Sequence, residues 1–267
     1  MLLLIDSGNT RLKWCLADEA NAGARFHLNG AIDYCDFTVE FLRSLPSQDI
    51  SDVLVSSVAG EEKDSLLVDY CEQTLGLVPK FARVSRLSCG VTNNYQTLDR
   101  LGVDRWVAAI GSIDGADGET DGGSLAAKNN NRIIIDAGTA VTVDVVDARS
   151  EFLGGVILPG RSLMRRSLVG ETAGISADIN SVNSVIGVNT QDCVNAGIRY
   201  GLIGGLAAII DEIMALVVNN KAWEAVVCGG DGDWVLSHLE TSIQKRREPL
   251  LIFRGLLNMR NLSLIHI

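Results

Sequence analysis

The sequence predicts an α/β protein of two lobes related by duplication, and three observations predict it. Leu4-Ile5-Asp6-Ser7-Gly8-Asn9-Thr10 returns as Ile134-Ile135-Asp136-Ala137-Gly138-Thr139-Ala140, 130 residues later. Apolar runs of strand length alternate with segments of helical period along the whole chain. The 267 residues fit two domains better than one. The expected division is 1–113 for the first lobe, 114–131 for a linker and 132–267 for the second lobe.

Each copy of the repeat is an apolar run, then Asp, a small residue and Gly. The run reads as a buried strand. The Asp places a carboxylate where pairing stops, and the Gly lets a ligand approach the main chain. Alone, either copy is also compatible with an ordinary strand end and an Asx-type turn. Two copies half a chain apart match what a two-lobed phosphotransferase needs: two carboxylates and two turns of N–H groups.

In the first lobe, residues 2–6 and 11–16 form a hairpin, with Leu12, Trp14 and Leu16 alternating against Arg11, Lys13 and Cys15. Phe26 to Ile32 supplies a third strand. A helix over Phe37–Leu45 stops before Pro46. Asp52 to Val58 is a parallel strand, followed by a helix over 61–75 and a strand over Val78–Val84. Cys89 to Tyr95 reads as a polar loop. Val103, Trp106, Val107 and Ile110 recur at helical spacing, so a helix starts there with Asp104 and Arg105 in its first turn. Asp114 to Asn131 is Gly-, Asp- and Asn-rich without period, as in a linker.

The second lobe repeats the hairpin over 132–136 and 141–147. Phe152 to Leu158 is a strand ending in Pro159-Gly160, and a helix follows over 161–169. Residues 171–189 are weakly patterned. A long helix spans Thr190–Val218. Its apolar residues cover much of the circumference, and its Gly and Ala residues allow close approach. Ala225–Cys228 is a strand feeding Gly229-Gly230-Asp231-Gly232, with a helix to about residue 245. Lys245-Arg246-Arg247 reads as its solvated end. Leu250–Phe253 followed by Gly255-Leu256 reads as a last strand and turn.

The bulk numbers exclude several classes. A net charge of −10 argues against a broad nucleic-acid surface. The six Cys, none in CxxC spacing, look like small buried residues in a reducing cytosol, and the three dispersed His give no zinc cluster. Residues 1–5 lack a basic n-region and meet Asp6 too early for a signal peptide. Asp211 and Glu212 argue against the long helix as a membrane span.

Four motifs can carry chemistry. The N–H groups of Gly8-Asn9-Thr10 can cradle phosphates, with Lys13 on the next strand as a point charge. Asp136, before Gly138-Thr139, can hold a cation. In Gly102-Val103-Asp104-Arg105, Asp104 can cap a helix or accept a hydroxyl proton, and Arg105 can hold an anionic substrate. Gly229-Gly230-Asp231-Gly232 is a strand-to-helix turn suited to a nucleotide.

With Asn94-Tyr95, Trp106, Gly154-Gly155, Pro159-Gly160 and Asn189-Thr190 added in order, the chain resembles the type III pantothenate kinases of the acetate and sugar kinase/Hsp70/actin superfamily. The resemblance implies two RNase H-like, actin-like lobes with a nucleotide cleft between them. It implies a cytoplasmic homodimer that phosphorylates pantothenate with ATP, the first step to coenzyme A. Asp104 would be the general base. Tyr95, Gly102, Val103, Asp104, Arg105 and Thr190 would surround pantothenate. Asp6, Ser7, Gly8, Asn9, Thr10, Arg11, Leu12, Lys13 and Thr139 would lie on ATP. Mg²⁺ would accompany the nucleotide, and Asp136 would hold K⁺ or NH₄⁺. The chain departs from the family pattern at Val141 and Cys228, where Thr is usual, at Gly232, where Ala is expected, and in the length of 114–131. The rival readings are another superfamily kinase or phosphatase, and a non-catalytic regulator like the Bvg accessory factors. Retention of both Asp104 and Asp136 favours the enzyme.

Overall fold

The fold is that of a computed structural model describing residues 1–20, 23–45, 49–113, 130–172, 175 and 184–263. In chain order the elements are β1 (Leu2–Ser7), β2 (Arg11–Ala20), β3 (Gly23–Asp33), α1 (Val39–Ser44), β4 (Asp52–Ser57) and α2 (Glu61–Tyr70), which runs into a π-helical turn at Cys71–Leu75. Next come β5 (Lys80–Phe81), β6 (Leu87–Ser88), β7 (Val91–Asn93), a short 3₁₀ turn (Leu98–Arg100) and α3 (Val103–Ser112). Then follow β8 (Asn131–Ala137), β9 (Ala140–Val146), β10 (Glu151–Pro159), α4 (Arg161–Glu171) and α5 (Thr190–Leu216). The chain continues through β11 (Trp223–Cys228), α6 (Gly232–His238), β12 (Gln244–Arg247) and α7 (Leu251–Ser263).

The chain divides into two compact units, Met1–Lys128 with Arg149–Leu153 and Leu250–Ile267, and Asn129–Ala148 with Gly154–Pro249. In the first unit the sheet order is β3-β2-β1-β4-β5. The β1–β2 and β2–β3 pairs are antiparallel, and β1–β4 and β4–β5 are parallel. In the second unit β10, β9, β8, β11 and β12 lie side by side. There β8–β9 is antiparallel, and β8–β11 and β11–β12 are parallel. Both units therefore share one topology, a three-strand meander extended by two parallel crossover strands, which is the RNase H-like order. The duplication read from one motif extends through a whole sheet.

The first core packs Leu3, Ile5, Leu12, Trp14, Val53 and Val55 under Leu42, Leu67 and Tyr70. The second packs Ile133, Ile135, Val141, Val143 and Val227 under Leu202, Leu206 and Ile210 of α5. Those three helix residues recur every four positions and bury one stripe. By length and composition α5 is the one described helix able to cross a bilayer, but its apolar stripe is taken up by this core.

Several expectations need correction. Leu250–Leu256 is not a strand and turn: α7 starts at Leu251, and Gly255 sits inside it. A Cβ on Gly255 would lie 2.0 Å from the Val107 carbonyl oxygen, so this glycine permits close crossing of α3 and α7. Residues 250–267, expected in the second lobe, group with the first unit. Lys245-Arg246-Arg247 is not a helix end, because α6 stops at His238 and the basic run lies in β12, parallel to β11. Charged residues suit an outer strand, where one row of backbone groups faces away from the ladder.

The Cys89–Tyr95 loop contains β7, whose Val91 and Asn93 are buried. The strand expected over Val78–Val84 is only Lys80–Phe81. Asn131, expected to end the linker, is buried at the start of β8. Residues 114–129 of the expected linker, and 173–174 and 176–183 of the weakly patterned segment, lie outside the described residues. Not all six thiols are inside either: Cys15, Cys71 and Cys228 are buried, whereas Cys35 and Cys193 are exposed. Burial pushes the Cys15 thiol up to about 11 and the Cys71 thiol up to about 12.

Candidate functional site

In the first unit, Asp6 and Ser7 end β1 and are buried. Gly8, Asn9 and Thr10 make the turn, closed by the Gly8 N–H donating to the Arg11 carbonyl at 3.0 Å. Lys13 lies directly across from Asp6 and donates to its carboxylate at 3.0 Å. Arg11 is exposed and pairs with Asp33 on β3, holding the Asp33 carboxyl below its usual range. The Leu12 side chain is in the core, so only its backbone can meet a ligand.

Two further residues converge on this turn that sequence reasoning missed. Tyr34 shares a 2.6 Å hydrogen bond with the Ser7 hydroxyl. Burial raises its phenol pKa, as do Asp6 and Asp64, against the lowering effect of the Ser7 hydrogen bond. Lys63, in the first turn of α2, donates to the Asn9 carbonyl at 3.2 Å and lies 3.7 Å from the centre of the Tyr34 ring. The turn therefore has a second ammonium beside Lys13. No local pattern marks Tyr34 or Lys63, since each reaches the turn from another element.

The third motif is also in the first unit. Gly102 is the N-cap of α3, and Asp104 Oδ1 accepts from the Arg105 N–H at 2.8 Å. A Cβ at residue 102 would come within 2.5 Å of that same oxygen, so the carboxylate occupies the space a side chain there would need. Val103 opens the helix, and Arg105 is buried. The Arg105 guanidinium lies 5.8 Å from the Tyr95 ring centre, a cation–π distance. Asn93 shapes the Tyr95 loop by accepting from the Tyr95 N–H at 3.0 Å. Arg86, also missed, donates to the carbonyls of Asn93 and Tyr95 at 2.7 and 3.1 Å. The structure thus brings Tyr95 and Gly102–Arg105 together, with a carboxylate and a guanidinium on adjacent residues.

The second unit closes its turn one residue tighter. The Gly138 N–H donates to the Ala140 carbonyl at 3.0 Å, where Gly8 reaches Arg11. The Asp231 N–H donates to the Ala137 carbonyl and the Val58 N–H to the Ser7 carbonyl, each at 2.9 Å, so in each unit the segment after the first crossover strand, β11 or β4, closes onto the end of the central strand. The Gly160 N–H holds the Thr139 carbonyl at 2.9 Å. Gly229 has φ +82°, and a Cβ there would lie 2.4 Å from Asp136 Oδ1. The copies differ in charge: Asp6 faces Lys13 across the hairpin, whereas Asp136 faces Thr142. Thr190 is exposed at the start of α5, where Asn189 caps the helix by accepting from the Asp192 N–H at 2.9 Å.

Two RNase H-like units, each with an Asp-Gly turn at the end of its central strand, define a duplicated α/β protein of the actin-like class. A crystal structure of a Baf family protein from Campylobacter jejuni shares this fold at a TM-score of 0.58, with 19% identity over 98% of this chain and 99% of that one. The family model for type III pantothenate kinase matches residues 2–212. The chain belongs to the type III pantothenate kinase family. A type III pantothenate kinase of Polaromonas sp. is 31% identical over 265 residues, 96% of each chain. Another, of Acidovorax ebreus, is 35% identical over 263 residues, 96% of this chain and 95% of the relative.

Proposed function

We infer that this chain transfers the γ-phosphoryl group of ATP to the hydroxyl of pantothenate, giving 4'-phosphopantothenate. The observation that carries the reading is the match to type III pantothenate kinases over nearly the full length of chain and relatives. The regulator reading loses support, because the Campylobacter jejuni structure at 19% identity shows the fold alone.

Phosphoryl transfer asks the protein mainly for positioning and neutralisation of charge. Asp104 is assigned as the base that takes the hydroxyl proton. A carboxylate is a weak base, so its placement matters more than its basicity. Its bond to the Arg105 N–H supports this by fixing the orientation of the group. Arg105, held by burial and by the Tyr95 face, suits the pantothenate carboxylate. Gly102, Val103 and Thr190 complete the proposed pantothenate contacts.

Asp6 to Lys13 and Thr139 are assigned to ATP, with the N–H groups of the Gly8 turn toward phosphate. A kinase of this family works with a divalent metal on ATP. Mg²⁺ would be held largely by phosphate oxygens and water and would supply charge neutralisation when bound. Asp136, which faces Thr142 across its hairpin and ends the central strand of its sheet, is assigned to K⁺ or NH₄⁺.

A cytoplasmic homodimer completes the proposal. The dimer is supported by apolar side chains left exposed on the second unit: Val156 and Ile157 on β10, Leu163 and Leu168 on α4, and Tyr200 on α5. The test of function is ADP release from purified protein. Release is expected only with pantothenate, ATP and Mg²⁺ together. Equal release without pantothenate would overturn the kinase reading in favour of a phosphatase.

A further inference from the structure

Arg247, the last residue of β12, reaches the Gly229–Gly232 turn from the neighbouring strand. Its Nη1 donates to the Val227 carbonyl at 3.0 Å and its Nη2 to the Gly229 carbonyl at 2.7 Å. Its Nε pairs with the Asp233 carboxylate at 3.0 Å. One planar guanidinium thus grips the end of β11, the turn itself and the first turn of α6. A planar fork of donors can do this, and a point-charge ammonium cannot. The turn is also held by Arg161, which donates to Asp231 at 3.1 Å and lies 4.2 Å from the centre of the Trp234 ring.

The Arg247 guanidinium also occupies the place where a side chain at residue 232 would begin. A Cβ on Gly232 would lie 2.6 Å from Cζ, 2.8 Å from Nη1 and 2.9 Å from Nε. The φ of Gly232 is outside the left-handed region, and the nearest atoms all belong to the tip of Arg247. An alanine at 232 is therefore opposed by the guanidinium and not by the backbone.

We propose that Arg247 and Gly232 form a matched positioning pair for the nucleotide. Arg247 fixes the Gly229-Gly230-Asp231 turn in its ATP-accepting shape, and Gly232 leaves the room that Arg247 needs. The pair rests on the kinase reading of this turn, and it gives a reason for glycine at position 232. Because Gly229 packs against Asp136, a loosened turn also loosens the wall beside that carboxylate.

The experiment compares wild type, Gly232→Ala, Arg247→Ala, Arg247→Lys and the Gly232→Ala/Arg247→Ala double variant. ATP and pantothenate are varied separately, ADP binding is measured directly by calorimetry, and thermal melting checks folding. Each alanine variant is expected to raise the KM for ATP and the Kd for ADP about tenfold, the order of one charge-assisted hydrogen bond, with the KM for pantothenate unchanged. The double variant is expected within about twofold of either single one, because both remove the same guanidinium contacts, and Arg247→Lys recovers part of the loss. Should Arg247→Ala fail to fold, Gly232→Ala still decides the matter, since its methyl displaces only a flexible side-chain tip. Multiplying effects, an unmoved ATP KM, or a pantothenate KM that rises in step would overturn the pair. A wild type that neither releases ADP nor binds it would instead overturn the kinase reading, and the pair with it.

Discussion

Asp104 carries the sharpest question at the scale of single residues, because its Oδ1 already has a structural bond to the Arg105 N–H. An asparagine keeps an oxygen for that bond and loses the basic site. Asp104→Asn is expected to stay folded and to lose on the order of 10²–10⁴ in turnover. Near-normal turnover in the folded variant would leave Asp104 as a capping residue only. Asp136 gives a second expectation. With a monovalent cation on its carboxylate, activity should rise with K⁺ or NH₄⁺ over Na⁺ at equal ionic strength, and Asp136→Asn should blunt that response. A wild-type rate indifferent to K⁺ would remove the assignment. The local positions of both residues were legible in the sequence: the helical period after Gly102 puts Asp104 in a first turn, and an Asp and a Gly at the end of an apolar run report the turn at Asp136. Tyr34, Lys63 and Arg247 were not legible. Each reaches its turn from another element, and nothing in its own neighbours records that contact.

Among the elements, the hairpins were readable from period-two alternation and the long helix from its length. Errors fell where a short run fits two structures. Leu250–Phe253 is four apolar residues, too few to separate a strand from a buried helical turn. Its context decided for helix, since α7 packs on α3 and on the first sheet. That docking has a polar clamp. Asp52, buried at the start of β4, accepts from Arg260 of α7 at 3.0 Å and from Lys80 at 2.7 Å. Arg260 is mostly buried, while Lys80 is exposed. Asp52→Ala is therefore expected to destabilise by on the order of 2 kcal/mol, between an exposed pair and a fully buried one. Thermal melting and hydrogen exchange would show it as a lower midpoint and faster exchange in α7. Unchanged exchange in α7 would mean that apolar packing alone holds the helix.

For the molecule as a whole, the open prediction is assembly. The exposed apolar residues of β10, α4 and α5 are expected to meet a second copy across a two-fold axis. Sedimentation at low micromolar concentration should give twice 28.6 kDa. Ile157→Asp, at a side chain 61% exposed, should shift the protein toward monomer without unfolding it. A fully active monomer would refute the dimer. The return of α7 to the first unit has a consequence for biosynthesis. Leu251, Phe253 and Leu256 are buried in a unit whose strands β1 to β5 are made before any strand of the second unit. Asn129–Ala148 and Gly154–Pro249 are synthesised between those strands and α7. The unit begun first is thus completed only after the other has been made. Until α7 emerges, the nascent chain carries an open apolar face on α3, and this is an interval in which it needs a chaperone.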